Sequence, residues 1–192
     1  MSTVRITGGI YKGRVIQVSK GNLAIRPAMD IMRESFFSIL GNLEGRSFLD
    51  LFAGSGIIGL EAASREAESV CCVERDRAKF PQLLENVAIA ERKISCHCLP
   101  VERFIMRAKA TWSVIFCDPP FPYQFKPELV QKIAQYGLLT PNGVLLLHCP
   151  SREVLADRYL DLSLVDERKY GGSTLKFYAH STSNDLANSV NN

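Results

Sequence analysis

Apolar positions along the 192-residue chain follow two rhythms. Near the start, VRIT and RVIQV flank GGIYKG, which predicts a hairpin over residues 3–18 whose glycines permit a turn at positive φ. After Pro27, the stretch AMDIMRESFFSILGNL places Ile31, Phe36, Phe37, Leu40 and Leu43 at helical spacing. An amphipathic helix is expected there, ended by Gly41 and Gly45.

From residue 47 the rhythm changes. Short continuous apolar runs (SFLDLF, SVCCVE, KISCHC, WSVIFC, GVLLLHC) alternate with helical stretches (IIGLEAASRE, Asp76 to about Ala90, PVERFIMRA, KPELVQKIAQYG). Such strands are buried on both faces, as in an α/β fold with a doubly wound, mostly parallel sheet. Residues 162–169 and 173–179, split by Tyr170-Gly171-Gly172, predict a closing antiparallel pair. Three segments are expected: a hairpin-plus-helix extension over 1–46, an α/β body over 47–180, and a tail over 181–192 with no core-forming pattern.

Composition excludes several classes. Hydrophobic residues at 46% and charged residues at 22% suit a soluble globule and not a disordered chain. No apolar run approaches the roughly 18–20 residues that span a bilayer. The opening MSTVRITGGIYKGR lacks the apolar core of a signal peptide, so a cytoplasmic protein without membrane partners is expected. Six scattered cysteines then read as reduced thiols. Residues 1–46 hold seven Lys/Arg against three acids, and the remainder holds 16 against 17. A basic extension on a near-neutral body suits a polyanion, with Arg5, Lys12, Arg14, Arg26 and Arg33 as its candidate contacts.

The stretch from Asp50 to Gly59 contains G-x-G-x-x-G between a strand and a helix. Gly54 and Gly56 let backbone approach a ligand, and Gly59 lets the helix pack close to the sheet. Glu74 ends the next strand, 20 residues after Gly54, where a carboxylate can accept both hydroxyls of a ribose. That much fits NAD equally well. Asp50 favours another ligand. A carboxylate before the turn repels a pyrophosphate but suits the cationic amino-acid end of S-adenosylmethionine (SAM). Phe52, Ala53 and Arg75 flank these groups.

Asp118-Pro119-Pro120-Phe121 follows the fourth strand of the body, at the edge where open α/β sheets bind ligands. Each proline fixes its own φ and extends the residue before it. The Asp118 carboxylate and Pro119 carbonyl can accept both hydrogens of one exocyclic amine, and Phe121 offers a face for a base to stack on. That pairing favours a pyramidal nitrogen able to attack a methyl group.

Together these residues resemble SAM-dependent amino-methyltransferases of the Asp-Pro-Pro-aromatic type. ArgIle at 5–6, GlyGly at 8–9, LysGlyArg at 12–14, ArgPro at 26–27 and ArgGluSerPhePhe at 33–37 narrow the resemblance to the bacterial 16S rRNA guanine-N2 methyltransferase D family. FLDLFAGSGIIGLEAASR at 48–65, CDPPF at 117–121 and YGGSTLKFY at 170–178 agree, so it runs from about residue 4 to 179. It implies a Rossmann-like class I methyltransferase fold and N2 methylation of the guanine at conventional position 966 of small-subunit rRNA. It also implies an assembling or assembled 30S subunit as partner; a monomer is expected. Ala28 replaces the family's usual threonine, and Pro100 stands where the family commonly has Asp or Asn for the adenine amine, so the resemblance leaves the adenine to the Val101 backbone or to Glu102.

Other signals weigh less. Strand alternation puts Cys96 and Cys98 on one face and His97 on the other, without a second ligand pair, so no metal is expected. His148 reads as a hydrogen-bonded structural histidine in preference to a base, and Trp112 as core. The competing functions are a DNA adenine-N6 methyltransferase, an RNA-binding protein with a retained nucleotide pocket, and an NAD-linked oxidoreductase.

Overall fold

The apolar runs form parallel strands joined by helices in a computed structural model, which describes residues 2–18, 26–92 and 94–181, with residues 26–28 described by backbone alone. The chain divides into two compact units, Met1–Val101 and Glu102–Asn192.

In the first unit, β1 (Ser2–Arg5) and β2 (Val15–Val18) form the expected antiparallel hairpin, with Arg5 opposite Val15. Helix α1 (Arg26–Leu40) follows and ends at Gly41, whose φ is +67°. Its inward stripe is Met32, Arg33, Phe36 and Phe37, all buried, whereas Ile31 is 61% exposed. Phe36 and Phe37 are buried as expected, Ile31 lies on the opposite side of the helix, and an arginine joins the core-facing stripe. Strand β4 (Ser69–Val73) runs parallel to both β3 (Ser47–Asp50) and β5 (Ser95–His97), with Phe48 opposite Val70 and Cys72 opposite Cys96. Helix α2 (Ile57–Ser64) connects β3 to β4, and α3 (Phe80–Val87) connects β4 to β5. Helix α3 starts later than expected because Asp76 heads a separate turn: its carboxylate accepts from Ala78 N and its carbonyl from Phe80 N.

A buried polar cluster ties the N-terminal extension to α2. Glu61, 0% exposed, accepts on Oε1 from Thr7 N at 2.8 Å and from the Thr7 hydroxyl at 2.9 Å. Arg33 Nε lies 3.1 Å from the same oxygen, and Arg65 pairs with Oε2. Ile10 N donates to Ser64 O, and Tyr11 N to Ser64 Oγ. Residues 1–46 and the start of the α/β body thus belong to one compact unit.

In the second unit, β6 (Trp112–Cys117) and β7 (Leu139–Pro150) are parallel. Strand β10 (Ser173–His180) pairs antiparallel with β7 on one side and β9 (Leu162–Tyr170) on the other, and the short β8 (Arg158–Tyr159) edges β9. This is the expected antiparallel close to a mostly parallel α/β fold. Helix α4 begins at the last residue of the first unit (Val101–Arg107), and α5 (Lys126–Gln135) connects β6 to β7. Strand β7 is longer than expected. It includes Pro141-Asn142-Gly143, and the register with β6 shifts between Trp112 and Val114, the irregularity that lets a proline sit in a strand. Trp112 is buried, as expected. The expected tail falls, apart from Ser181, outside the described residues. Among those, no helix is long and apolar enough to cross a membrane.

Candidate active site

The glycine turn sits at the carboxyl ends of β3 and β4. Gly54 has φ +52°, and a Cβ there would meet only Phe52 O, at 4.0 Å. The turn therefore presents bare backbone to open space. Glu74, at the end of β4, braces it: Oε2 accepts from Gly54 N at 2.9 Å and Oε1 from Asp76 N at 2.8 Å. Each carboxylate oxygen has a second lone pair, so both can also accept a hydroxyl. Asp50 is 1% exposed, and its Oδ1 accepts from Phe52 N at 3.3 Å. Ala53 is buried and donates its N–H to Val73 O, Phe52 is half-buried, and Arg75 is exposed.

The other two glycines serve packing. A Cβ at Gly59 would stand 2.5 Å from Cys72 Sγ, so α2 approaches the sheet as only glycine permits. At Gly56 (φ +84°) a Cβ would stand 2.6 Å from Leu83 Cδ1 on α3. Gly56 was expected to give a ligand backbone access; its Cα packs against α3.

The Asp118 loop belongs to the second unit. Pro119 is buried, Pro120 is exposed, and Phe121 is 41% exposed. A turn from Pro120 O to Tyr123 N, 2.7 Å, folds the segment after the motif. Lys126, 1% exposed, donates to the carbonyls of Phe121 and Tyr123 and pairs with Glu153 at 2.8 Å. The Tyr123 hydroxyl donates to Glu102 Oε1 at 2.7 Å, and burial followed by that carboxylate pushes the phenol above its ordinary range. Glu102, expected to read an adenine, thus also anchors the loop; Val101 is buried. Asp118 itself, with a 28% exposed side chain, lies 2.7 Å through Oδ1 from Nδ1 of His148, whose ring is 5.7 Å from that of Phe121.

Lys126 carried no sequence signal, because a lysine opening a helix reads as a solvated face. His148 did carry one: a histidine ending an apolar run at the sheet's carboxyl edge.

Of the basic candidates, Arg5, Lys12 and Arg14 are exposed. Arg5 donates to Gly13 O, and Arg14 lies over the Tyr11 ring. The side chain of Arg26 lies outside the described residues. Arg33 is corrected: it is 5% exposed and paired with Asp30 and Glu61, so its charge is used inside the fold.

Parallel strands with helical connections, an antiparallel close and a glycine turn braced by an acid define a class I methyltransferase fold. The chain belongs to the family described as "Conserved hypothetical protein 95", matched over residues 4–179, the methyltransferase D family. It is 29% identical over 180 residues to "Ribosomal RNA small subunit methyltransferase D" of Escherichia coli strain K12, covering 91% of this chain and 89% of that one. It is 29% identical to "Putative rRNA methyltransferase YlbH" of Bacillus subtilis, covering 91% and 98%. Among solved structures, "Putative methyltransferase yhhF" of Escherichia coli superposes with a TM-score of 0.83 at 28% identity, covering 93% and 98%.

Proposed function

We propose that the chain methylates the exocyclic N2 amine of a guanine in 16S rRNA, as a cytoplasmic monomer acting on assembling or assembled 30S subunits with S-adenosylmethionine as methyl donor. The observation that carries this is the Asp118 loop: a carboxylate held by a buried histidine beside an exposed aromatic face, on a backbone pinned by two prolines and a buried lysine. The names of the relatives support the rRNA substrate.

The residues of the first unit fit the donor: bare backbone at Gly54, and a Glu74 carboxylate able to take two more hydrogen bonds. Glu74 holds the ribose hydroxyls, and Asp50 meets the cationic amino-acid end. When bound, the donor supplies a methyl group activated by its sulfonium. Residues 1–46 recruit RNA through Arg5, Lys12 and Arg14, and residues 47–180 carry the chemistry.

A guanine inside a stack cannot align its N2 with a methyl–sulfur bond, so the base is extruded onto Phe121. Asp118 Oδ2 and the Pro119 carbonyl accept the two amine hydrogens, which turns the nitrogen lone pair outward. With the donor bound, the N–C bond would form as the donor's C–S bond breaks and leaves its electron pair on sulfur. The nitrogen then gives one proton to Asp118, which passes it to solvent through its exposed edge.

Tritiated SAM offered with 30S subunits, naked 16S rRNA and DNA tests this reading. Label should enter ribosomal RNA, with mass spectrometry finding it on guanine N2. Asp118→Ala should lose turnover about 100-fold or more while keeping SAM affinity. Label in DNA or on adenine N6, or full turnover by Asp118→Ala, would refute it.

A further inference from the structure

The sheet register explains why His148 and Asp118 meet. Cys117 on β6 is the direct partner of Leu147 on β7, so the next residues lie side by side, Asp118 where the chain leaves β6 and His148 still within β7. Strand β7 is paired on both edges, and His148 is opposite Leu175 of β10. The imidazole is 1% exposed and anchored mid-sheet, whereas Asp118 stands at the start of a loop.

At 2.7 Å one of the two facing atoms must carry a hydrogen. An ionised carboxylate only accepts, so Nδ1–H donates. Nε2 is buried with no hydrogen-bond partner among the described residues. An imidazolium would place a charged, unsatisfied N–H there, while a neutral ring leaves only a lone pair, which is the cheaper group to bury. The neutral Nδ1–H tautomer follows.

We propose that His148 is the positioning residue of Asp118. Its Nδ1–H occupies Oδ1, fixes the plane of the carboxylate, and leaves Oδ2 as the acceptor for the substrate amine. This role rests on the methyl transfer proposed above. A neutral donor also brings no positive charge of its own to the carboxylate, so none competes with a nitrogen that becomes positive during transfer.

The test uses the full chain with 30S substrate under single-turnover conditions. His148→Leu removes the donor, and His148→Asn places an amide N–H where Nδ1–H stood. His148→Leu should lower the methylation rate about 10- to 100-fold, the scale of a misplaced reacting group, with SAM affinity and KM for RNA within twofold of the wild type. His148→Asn should recover most of the rate. In an Asp118→Ala background, His148→Leu should add no further loss. Independently of activity and of how the variants fold, 15N NMR of the wild-type imidazole should find Nδ1 protonated and Nε2 bare.

Full activity of His148→Leu beside an active wild type would overturn the role of His148 alone. So would an Nε2–H tautomer, or no recovery in a folded His148→Asn. A wild type that transfers no methyl to guanine N2 would overturn the proposed function, and this role with it.

Discussion

Lys126 and Glu153 form an ion pair at 2.8 Å in which the lysine is almost wholly buried and the glutamate side chain is 23% exposed. An ammonium has three hydrogens, and here all three have acceptors: this carboxylate and the carbonyls of Phe121 and Tyr123. The lysine is therefore a clamp on the loop that carries the exposed aromatic face.

Lys126→Met should lower stability by about 3–5 kcal/mol, since it leaves the carboxylate and two carbonyls without their buried donor. Glu153→Gln should cost less, because its partner keeps both carbonyls and the glutamate is reached by water. Urea denaturation of the three proteins checks the order. Equal midpoints for Lys126→Met and the wild type would show that the clamp holds nothing.

Glu74→Ala should weaken SAM binding by about 1–3 kcal/mol, the loss of charge-assisted hydrogen bonds to the ribose. It also frees Gly54 N and Asp76 N, so the turn loses its brace. Calorimetry is the measurement. An unchanged affinity would remove Glu74 from the binding site, and a wild type that prefers NAD would change the cofactor.

Replacing Lys12 and Arg14 with alanine should weaken binding to the ribosomal substrate and flatten its salt dependence, leaving SAM affinity intact. Both side chains are exposed. Filter binding at several salt concentrations decides. An unchanged slope would return this segment to an ordinary solvated surface.

The thiols should react in a fixed order. Burial pushes Cys71 up to about 12 and Cys149 up to about 11, while the Cys72 thiol donates to Cys96 and lowers it. Cys98 is exposed. Iodoacetamide at pH 8 should label Cys98 and Cys96 before Cys71, Cys72 and Cys149, as read by peptide mass spectrometry. Early labelling of Cys71 would contradict its burial. Because the folded thiol titrates higher than the unfolded one, its contribution to stability is full below the ordinary thiol range. It is lost as pH rises toward 12.

Elements built from continuous apolar runs were legible along the chain. The five continuous apolar runs became β3 to β7, and the glycine turn and Asp118 loop fell at the expected strand ends. Exceptions came where a charged residue occupies an apolar position. Arg33 reads as a surface charge in isolation; only its i, i+3 and i, i+4 relation to Phe36 and Phe37 puts it on the buried face. Glu61 and Lys126 are invisible for the same reason, since Thr7 and Glu153, which complete their bonding, lie far along the chain. Strand β8 is two residues long and carries no periodicity.

The cluster around Glu61 has a consequence for how this sequence can change over generations. Arg33, Arg65 and Thr7 all spend their polar groups on one buried carboxylate. Loss of the acid alone leaves Arg65 without its carboxylate and Arg33 with Asp30 as its remaining one, and loss of one arginine leaves the acid short of a partner, whereas an all-apolar set of similar volume packs without penalty. The route from one solution to the other passes through misfits at every single step. Neutral drift is therefore blocked at these four positions, and lineages should differ here by exchanging the whole group or not at all.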